Sequence, residues 1–142
     1  MAIQEKQLIG RQDKLLTFGS TNSLTSAGTY PCGYSTSYTD GTVIDMKNGD
    51  LENMGVHFKV DTACAGLTSV VLKVQVSSDK STWTDAAVSP SILAAALVKD
   101  AEFNVVIPRG APQGRYIRAA VVVTGTGTVG VISACVDTFA GV

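Results

Sequence analysis

The residues in this chain able to do chemistry are few and stand apart from one another. Gly125-Thr-Gly127-Thr-Val-Gly130 has the GxGxxG spacing with which a dinucleotide-binding loop cradles a pyrophosphate. That chemistry needs a helix next, so that its N-terminus can face the phosphates. Here Val129, Val131 and Ile132 continue a strand pattern, so the segment is expected to be a hairpin turn. His57 is the only histidine, and no neighbour in sequence offers the nucleophile and orienting acid a general base requires. It falls on the polar face of its strand and is expected to be an ordinary exposed side chain. Asp45, Asp61, Asp79, Asp85 and Asp100 are scattered without EF-hand order and fit turn-forming roles. Arg109, Arg115 and Arg118 form the only basic grouping, better suited to carboxylate partners or solvent than to a polyphosphate. Cys32, Cys64 and Cys135 are odd in number and form no CxxC, which fits buried free thiols better than a disulfide framework or zinc site. No catalytic constellation emerges, and neither an enzyme activity, a metal nor a cofactor is expected.

Composition narrows the class further. Apolar residues make up 45% of the 142 and charged residues 16%, too apolar for a disordered tail. Eleven Lys and Arg against twelve Asp and Glu give a net charge of -1, a poor match for a polyanion, so nucleic acid is not the expected partner. No apolar run reaches the roughly 18 to 20 residues of a membrane helix, and charges in Met1–Arg11 interrupt the apolar stretch a secretory signal needs. A protein made in the cytoplasm and not secreted is the expectation.

Whatever this chain does must be positioned by strands, because every strong periodicity has period two. Met54, Val56, Phe58 and Val60 alternate with Gly55, His57 and Lys59, and Val70, Leu72, Val74 and Val76 alternate with Val71, Lys73 and Gln75. The expected strands are Leu15–Phe18, Thr42–Met46, Met54–Val60, Ser69–Val76, Trp83–Val88, Glu102–Ile107, Tyr116–Thr124 and Val129–Asp137. Gly, Asn and Pro clusters separate them, including Lys47–Asp50, Ser77–Ser81 and Pro108–Gly114. Together they predict an all-β, single-domain, jelly-roll-like sandwich of about eight strands. Ser91–Asp100, after Pro90, fits either a short helix or a crossover between sheets.

Three features stand outside this pattern. Tyr116–Thr124 and Val129–Asp137 are largely apolar on both faces, so each outer face lies either under a loop or against another subunit. The second alternative makes Tyr116, Arg118, Val122, Val131 and Ile132 candidates for an oligomer seam. Residues 19–41 are rich in Ser, Thr and Gly and carry Tyr30, Tyr34 and Tyr38, a loop whose tyrosines either pack on their own domain or form a contact surface. Residues 1–13 lack a strand pattern and read as an N-terminal arm ahead of a sandwich spanning 14–142.

The serial order of motifs resembles one family. Asp13–Phe18, Thr42–Met46, Leu72–Asp79, Ser81–Thr84, Gly114–Arg118 and Val123–Ala134 follow each other as in the small jelly-roll cement, or head-stabilisation, proteins of tailed bacteriophages. The resemblance implies a non-catalytic virion protein on the outer surface of the mature capsid, made in the bacterial cytoplasm. It also implies the major capsid protein as partner and a homo-oligomer, dimer or trimer, at work. Ile3, Leu8, Ile9, Tyr30, Tyr34 and Tyr38 are then the candidate capsid contacts. The arm and the tyrosine loop are longer than the family pattern. A second resemblance, of Ser77–Trp83 and Arg115–Arg118 to discoidin-like domains, implies a carbohydrate-binding sandwich in which Trp83 or a loop tyrosine stacks on a sugar.

Overall fold

A computed structural model describes residues 17–35, 37, 39, 41–46 and 55–136. Ten strands form in order: β1 (Thr17–Ser20), β2 (Gly28–Pro31), β3 (Ile44–Asp45), β4 (Gly55–Ala65), β5 (Ser69–Ser77), β6 (Thr84–Val88), β7 (Ile92–Leu93), β8 (Glu102–Val106), β9 (Tyr116–Thr124) and β10 (Val129–Val136). They build two antiparallel sheets. One has the order β1-β10-β4-β8; the other runs β2-β9-β5-β6, with β3 beside β9 and β7 beside β5.

This order is that of one long hairpin rolled up into a jelly roll, β1 pairing with β10, β2 with β9, β4 with β8 and β5 with β6. The register bears this out. Ile44 faces Ile117, Gly55 faces Val106 and Lys73 faces Val88, and each pair is equidistant from the Lys80–Ser81 bond. The turn at that bond is locked locally. Ser77 Oγ accepts from the N–H groups of Asp79 and Lys80, and Asp79 Oδ1 accepts from those of Ser81 and Thr82. Lys80 adopts φ 64 there.

Strand periodicity fills the space between the sheets. Val56, Phe58 and Val60 of β4, with Ile132 and Ala134 of β10, face Val70, Leu72, Val74 and Val76 of β5 and Ile117, Ala119, Val121 and Val123 of β9. Phe58 lies opposite Phe103 across the β4–β8 pair. Burying each such side chain contributes about 1.5–3 kcal/mol, enough to fix register, since a one-residue slip would turn the whole set outward.

Several sequence expectations change. The Gly125–Gly130 segment is no hairpin, because β9 and β10 belong to different sheets and it turns the corner between them. Strand β2 falls within the stretch expected to be loop; Gly28 and Pro31 hid it, although a proline is compatible with an edge strand. Strand β4 continues past Val60 to Ala65, and Trp83 lies just outside β6. Ser91–Asp100 is a crossing: β7 pairs with Ser69 and Val70 of β5, a 3-10 turn follows at Ala94–Ala96, and Leu97 O accepts from Cys64 N on the other sheet. The arm, with Ile3, Leu8 and Ile9, lies outside the described residues, as do Leu15, Tyr38, Lys47–Asp50, Met54 and Asp137.

Candidate functional site

The two outer faces of the sandwich differ in chemistry. On the β4–β10 sheet several outward residues are polar and paired across strands: His57 Nδ1 lies 3.0 Å from Asn104 Oδ1 and its Nε2 3.2 Å from Glu102 Oε1, while Lys59 Nζ lies 3.6 Å from Asp100, although Val106 and Val129 are exposed there too. His57 is thus half-buried and partnered from the neighbouring strand rather than freely exposed. Among the described residues no group of three or more His, Cys, Asp or Glu is placed to hold a metal ion.

The outer face of the β5–β9 sheet carries a connected polar and aromatic ladder. Arg118 of β9 is opposite Gln75 of β5, and its Nε donates to Gln75 Oε1 at 2.9 Å. Gln75 Nε2 donates to Asp85 Oδ1 at 2.9 Å, and Lys73 Nζ donates to Asp85 Oδ2 at 2.9 Å. The Arg118 guanidinium carbon sits 4.4 Å from the Trp83 ring centroid, a cation–π contact. Burial pushes the Asp85 carboxyl up, but the hydrogen bonds from Gln75 and Lys73 and the Lys73 charge outweigh it and hold the group below the usual carboxylate range. At the end of the sheet, Lys80 Nζ and Arg115 Cζ lie 4.7 and 5.3 Å from the Tyr116 ring, and Arg115 grips Asp45 with two bonds of 2.9 and 2.8 Å. Of the three arginines, Arg115 has its carboxylate partner within the chain, at Asp45.

Beside the ladder the same face turns apolar. Val71 is opposite Val122 and flanked along β6 and β7 by Val88, opposite Lys73, and Leu93, opposite Ser69. Val88 and Leu93 are 52% and 64% exposed, two of the five exposed large apolar side chains among the described residues. The sequence reading missed this rim, because strand periodicity cannot say which side of a short apolar run is left uncovered.

At the opposite edge, loop 32–43 stands out from the rolled hairpin. Pro31 faces Ala120 and Ile44 faces Ile117, so the stretch between Pro31 and Ile44 far exceeds the one it is matched against and must leave the ladder. Its neck is tight: Cys32 N donates to Ala119 O, Gly33 N to Ser20 O and Thr42 N to Cys32 O, all at 2.8–2.9 Å. Gly33 and Gly41 have φ of +81 and +79, and a Cβ on Gly33 would collide with Thr42 and the Phe18 carbonyl oxygen. Only glycine fits there. Between this loop, β2 and β9 lies a cavity of about 350 Å³, lined by Asn22, Thr29, Tyr30, Pro31, Tyr34, Thr39 and Arg118.

The candidates named from sequence are distributed as follows. Tyr30, Tyr34 and Arg118 come together in the cavity. Tyr30 also packs against the core, with its hydroxyl bonded to Ser26 N and O at 3.0 Å each, and those bonds, the serine hydroxyl's first, lower its pKa. Tyr116, Arg118 and Val122 share the outer face of the β5–β9 sheet, whereas Val131, opposite Thr62, belongs to the other sheet. Ile132 is 1% exposed and faces the core, so it offers no surface to a second subunit. Its neighbour Val131 carries the outward position, and one flat seam cannot contain Val122 and Val131 together. Asn22, Thr29 and Thr39 had no signal in the sequence, since no local spacing joins them.

The profile of the Bbp16 family matches residues 32–136. Among solved structures, the chain is similar to one described under carbohydrate-binding modules from the beta-sandwich superfamily, with 11% identity and a TM-score of 0.46 over 84% of this chain and 56% of that one. It is also similar to one described as "CBM4 structure and function", with 17% identity and a TM-score of 0.36 over 77% and 58%. The chain thus spans somewhat more than half the length of those structures. No curated protein matches it.

Proposed function

The chain belongs to the Bbp16 family, and we propose that it is a cement protein, which binds the outside of a mature phage capsid and bridges neighbouring major capsid protein subunits. The observation that carries this reading is the exposed apolar rim of Val88 and Leu93 beside Val71 and Val122 on the outer face of the β5–β9 sheet. Clustered exposed apolar side chains rimmed by polar groups mark protein contacts. The order of sequence motifs supports the choice of partner.

The physical task is to add contact area where shell subunits would part under outward pressure. A jelly roll suits it, since its sheets are held by a dry core and several outward charges, such as Lys73 with Asp85 and Arg115 with Asp45, are paired within the molecule. Docking such a surface requires little reordering, and that reordering is what erodes affinity in flexible binders. One docking site decorates, whereas two sites bridge. In this proposal the rim engages one capsid subunit, and the arm, through Ile3, Leu8 and Ile9, engages the next. Many copies on a symmetric lattice then hold by avidity even where each contact is weak. Two or three copies associate with one another on the shell.

The test is co-sedimentation with expanded capsids that lack the protein. Wild-type chain is expected to saturate the shells at a fixed ratio, and Leu93→Asp, a substitution at an exposed side chain, to stay folded and remain in the supernatant. Equal binding by Leu93→Asp would remove the rim from the contact. The carbohydrate-binding alternative is weaker at Trp83, because one face of that ring is covered by Arg118.

A further inference from the structure

We propose that the open edge of β8 accepts an extended segment of a partner protein as a fifth strand of its sheet, a segment that alternates apolar residues and carries a cation. The inference is independent of the apolar rim, which belongs to the other sheet.

Strand β8 ends the order β1-β10-β4-β8 and is paired on one side only, with β4. Which backbone groups point away follows from the ladder. Val60 turns both of its groups toward the β8 side, its N–H donating to Ala101 O at 2.9 Å and its carbonyl accepting from Asp100 N at 2.8 Å. By alternation Phe58 and Val56 do the same toward Phe103 and Val105. The N–H and C=O groups of Glu102, Asn104 and Val106 therefore point to the open side, and among the described residues none of them has a backbone partner. Solvent reaches the strand: Val106 is 38% exposed, the Glu102 side chain 60%, and Phe103 is only partly covered.

The other described edges are blunted. The register of β1 slips between Thr17 and Gly19, and β2 ends on Pro31. The β6–β7 line is broken by Pro90 and by a slip opposite Val74 and Gln75. Strand β8 pairs with β4 without a slip and holds no proline or glycine from Glu102 to Ile107. Sandwiches guard the edges they do not use, and a regular bare edge is a template for strand addition.

The chemistry of the occupant follows from the side chains it would meet. Residues opposite Phe103 and Val105 point inward and cover the half-buried Phe103 ring, which calls for apolar groups at every second position. On the outer side β8 presents the Glu102 carboxylate, whose partner His57 stands on β4, one strand further in. A Lys or Arg opposite Glu102 is the favourable cross-strand neighbour. A second β8 offers only Glu102, Asn104 or Val106 at that position, never a cation, so a different protein fits this edge better than a second copy.

The experiment follows backbone amides of the full chain by NMR, alone and with two probe peptides: acetyl-Thr-Val-Thr-Val-Lys-Val-amide and the same peptide with Glu in place of Lys. In the free chain the amides of Glu102, Asn104 and Val106 are expected to exchange quickly with solvent, while those of Phe103 and Val105 are protected. The Lys peptide is expected to protect the first three, saturably, with a Kd of about a millimolar, and the Glu peptide to bind about fivefold more weakly. Val106→Pro removes an outward N–H and no ladder bond, so it is expected to keep the melting temperature and to weaken the Lys peptide about tenfold. Glu102→Lys, an exposed substitution, is expected to reverse the order of the two peptides. The proposal is overturned by any of four results. These are no saturable shift with the Lys peptide up to about 10 mM, undiminished binding by folded Val106→Pro, an unchanged peptide order in Glu102→Lys, or protection of the three outward amides in the free chain. The last would mean that the chain's own N-terminal segment or a second copy already occupies the edge.

Discussion

The guanidinium carbon of Arg118 lies 4.4 Å from the centroid of the Trp83 ring, while its Nε donates to Gln75 across the β9–β5 pair. The two contacts place a charged side chain that is 8% exposed on the outside of a sheet without leaving it unsatisfied. A cation–π contact of this kind contributes about 0.5–2 kcal/mol, and a charge-assisted hydrogen bond about 1.5–3. Arg118 therefore links the two edges of the outer face, holding Trp83 on the β6 side and lining the cavity on the β2 side.

Arg118→Ala is expected to lower stability by about 2–4 kcal/mol and to shift Trp83 emission, because both ring contact and donor are lost. Arg118→Lys is expected to restore little of it, since an ammonium cannot stack flat and donate sideways at once. Chemical denaturation followed by fluorescence reads both. Full stability in Arg118→Ala would mean that the ladder is ornamental.

Ile132→Asp and Val131→Asp form a matched pair on one strand. The first puts a carboxylate into the dry interior against Val60 and is expected to abolish folding. The second changes an outward position on the polar sheet and is expected to cost less than about 1 kcal/mol. Circular dichroism melts distinguish them, and equal tolerance would contradict the alternation of β10.

Most of the strand framework was legible because alternation is a direct print of burial. Val70 to Val76 and Ile117 to Val123 repeat every second residue along strands with one face on the core. What could not be read was pairing. Nothing local to Gly125–Gly130 distinguishes a hairpin from a corner between sheets, and nothing local to Ile132 says that it, rather than Val131, points inward across a register shift. Asn22 and Thr39 line one cavity although they are seventeen residues apart, a long-range relation with no local signal. The tyrosines were visible as a cluster, but their division between core packing and cavity wall was not.

Acid is expected to weaken the fold in a defined direction. Hydrogen bonds from the Thr82 and Ser81 N–H groups and the Ser77 hydroxyl hold Asp79 below its ordinary value, and Asp85 is held low as described above. A depressed carboxyl contributes stability above its unfolded pKa of about 3.9 and loses it as pH falls through the lower folded value. Urea midpoints measured from pH 6 down to about pH 2 should therefore fall below about pH 4, and Asp79→Asn should flatten that limb. A midpoint indifferent to acid would show that neither carboxylate is stabilised.

All three thiols are expected to be silent toward a thiol-specific reagent in the native state. Cys32, Cys64 and Cys135 are buried, and burial, helped by the Asp61 charge, pushes the Cys32 thiol up to about 12. Since the thiolate is the reactive form, labelling at pH 8 should require unfolding, at a rate set by opening of the loop neck for Cys32. Immediate labelling of Cys32 in native protein would contradict the closed neck.

The central claim is that this sandwich strengthens a shell it does not build. Calorimetric disassembly of expanded capsids, recorded with and without saturating protein, tests it most directly. The account predicts a higher disassembly temperature in the decorated shells and no increase with Leu93→Asp; identical transitions for bare shells and shells given wild-type protein would contradict it.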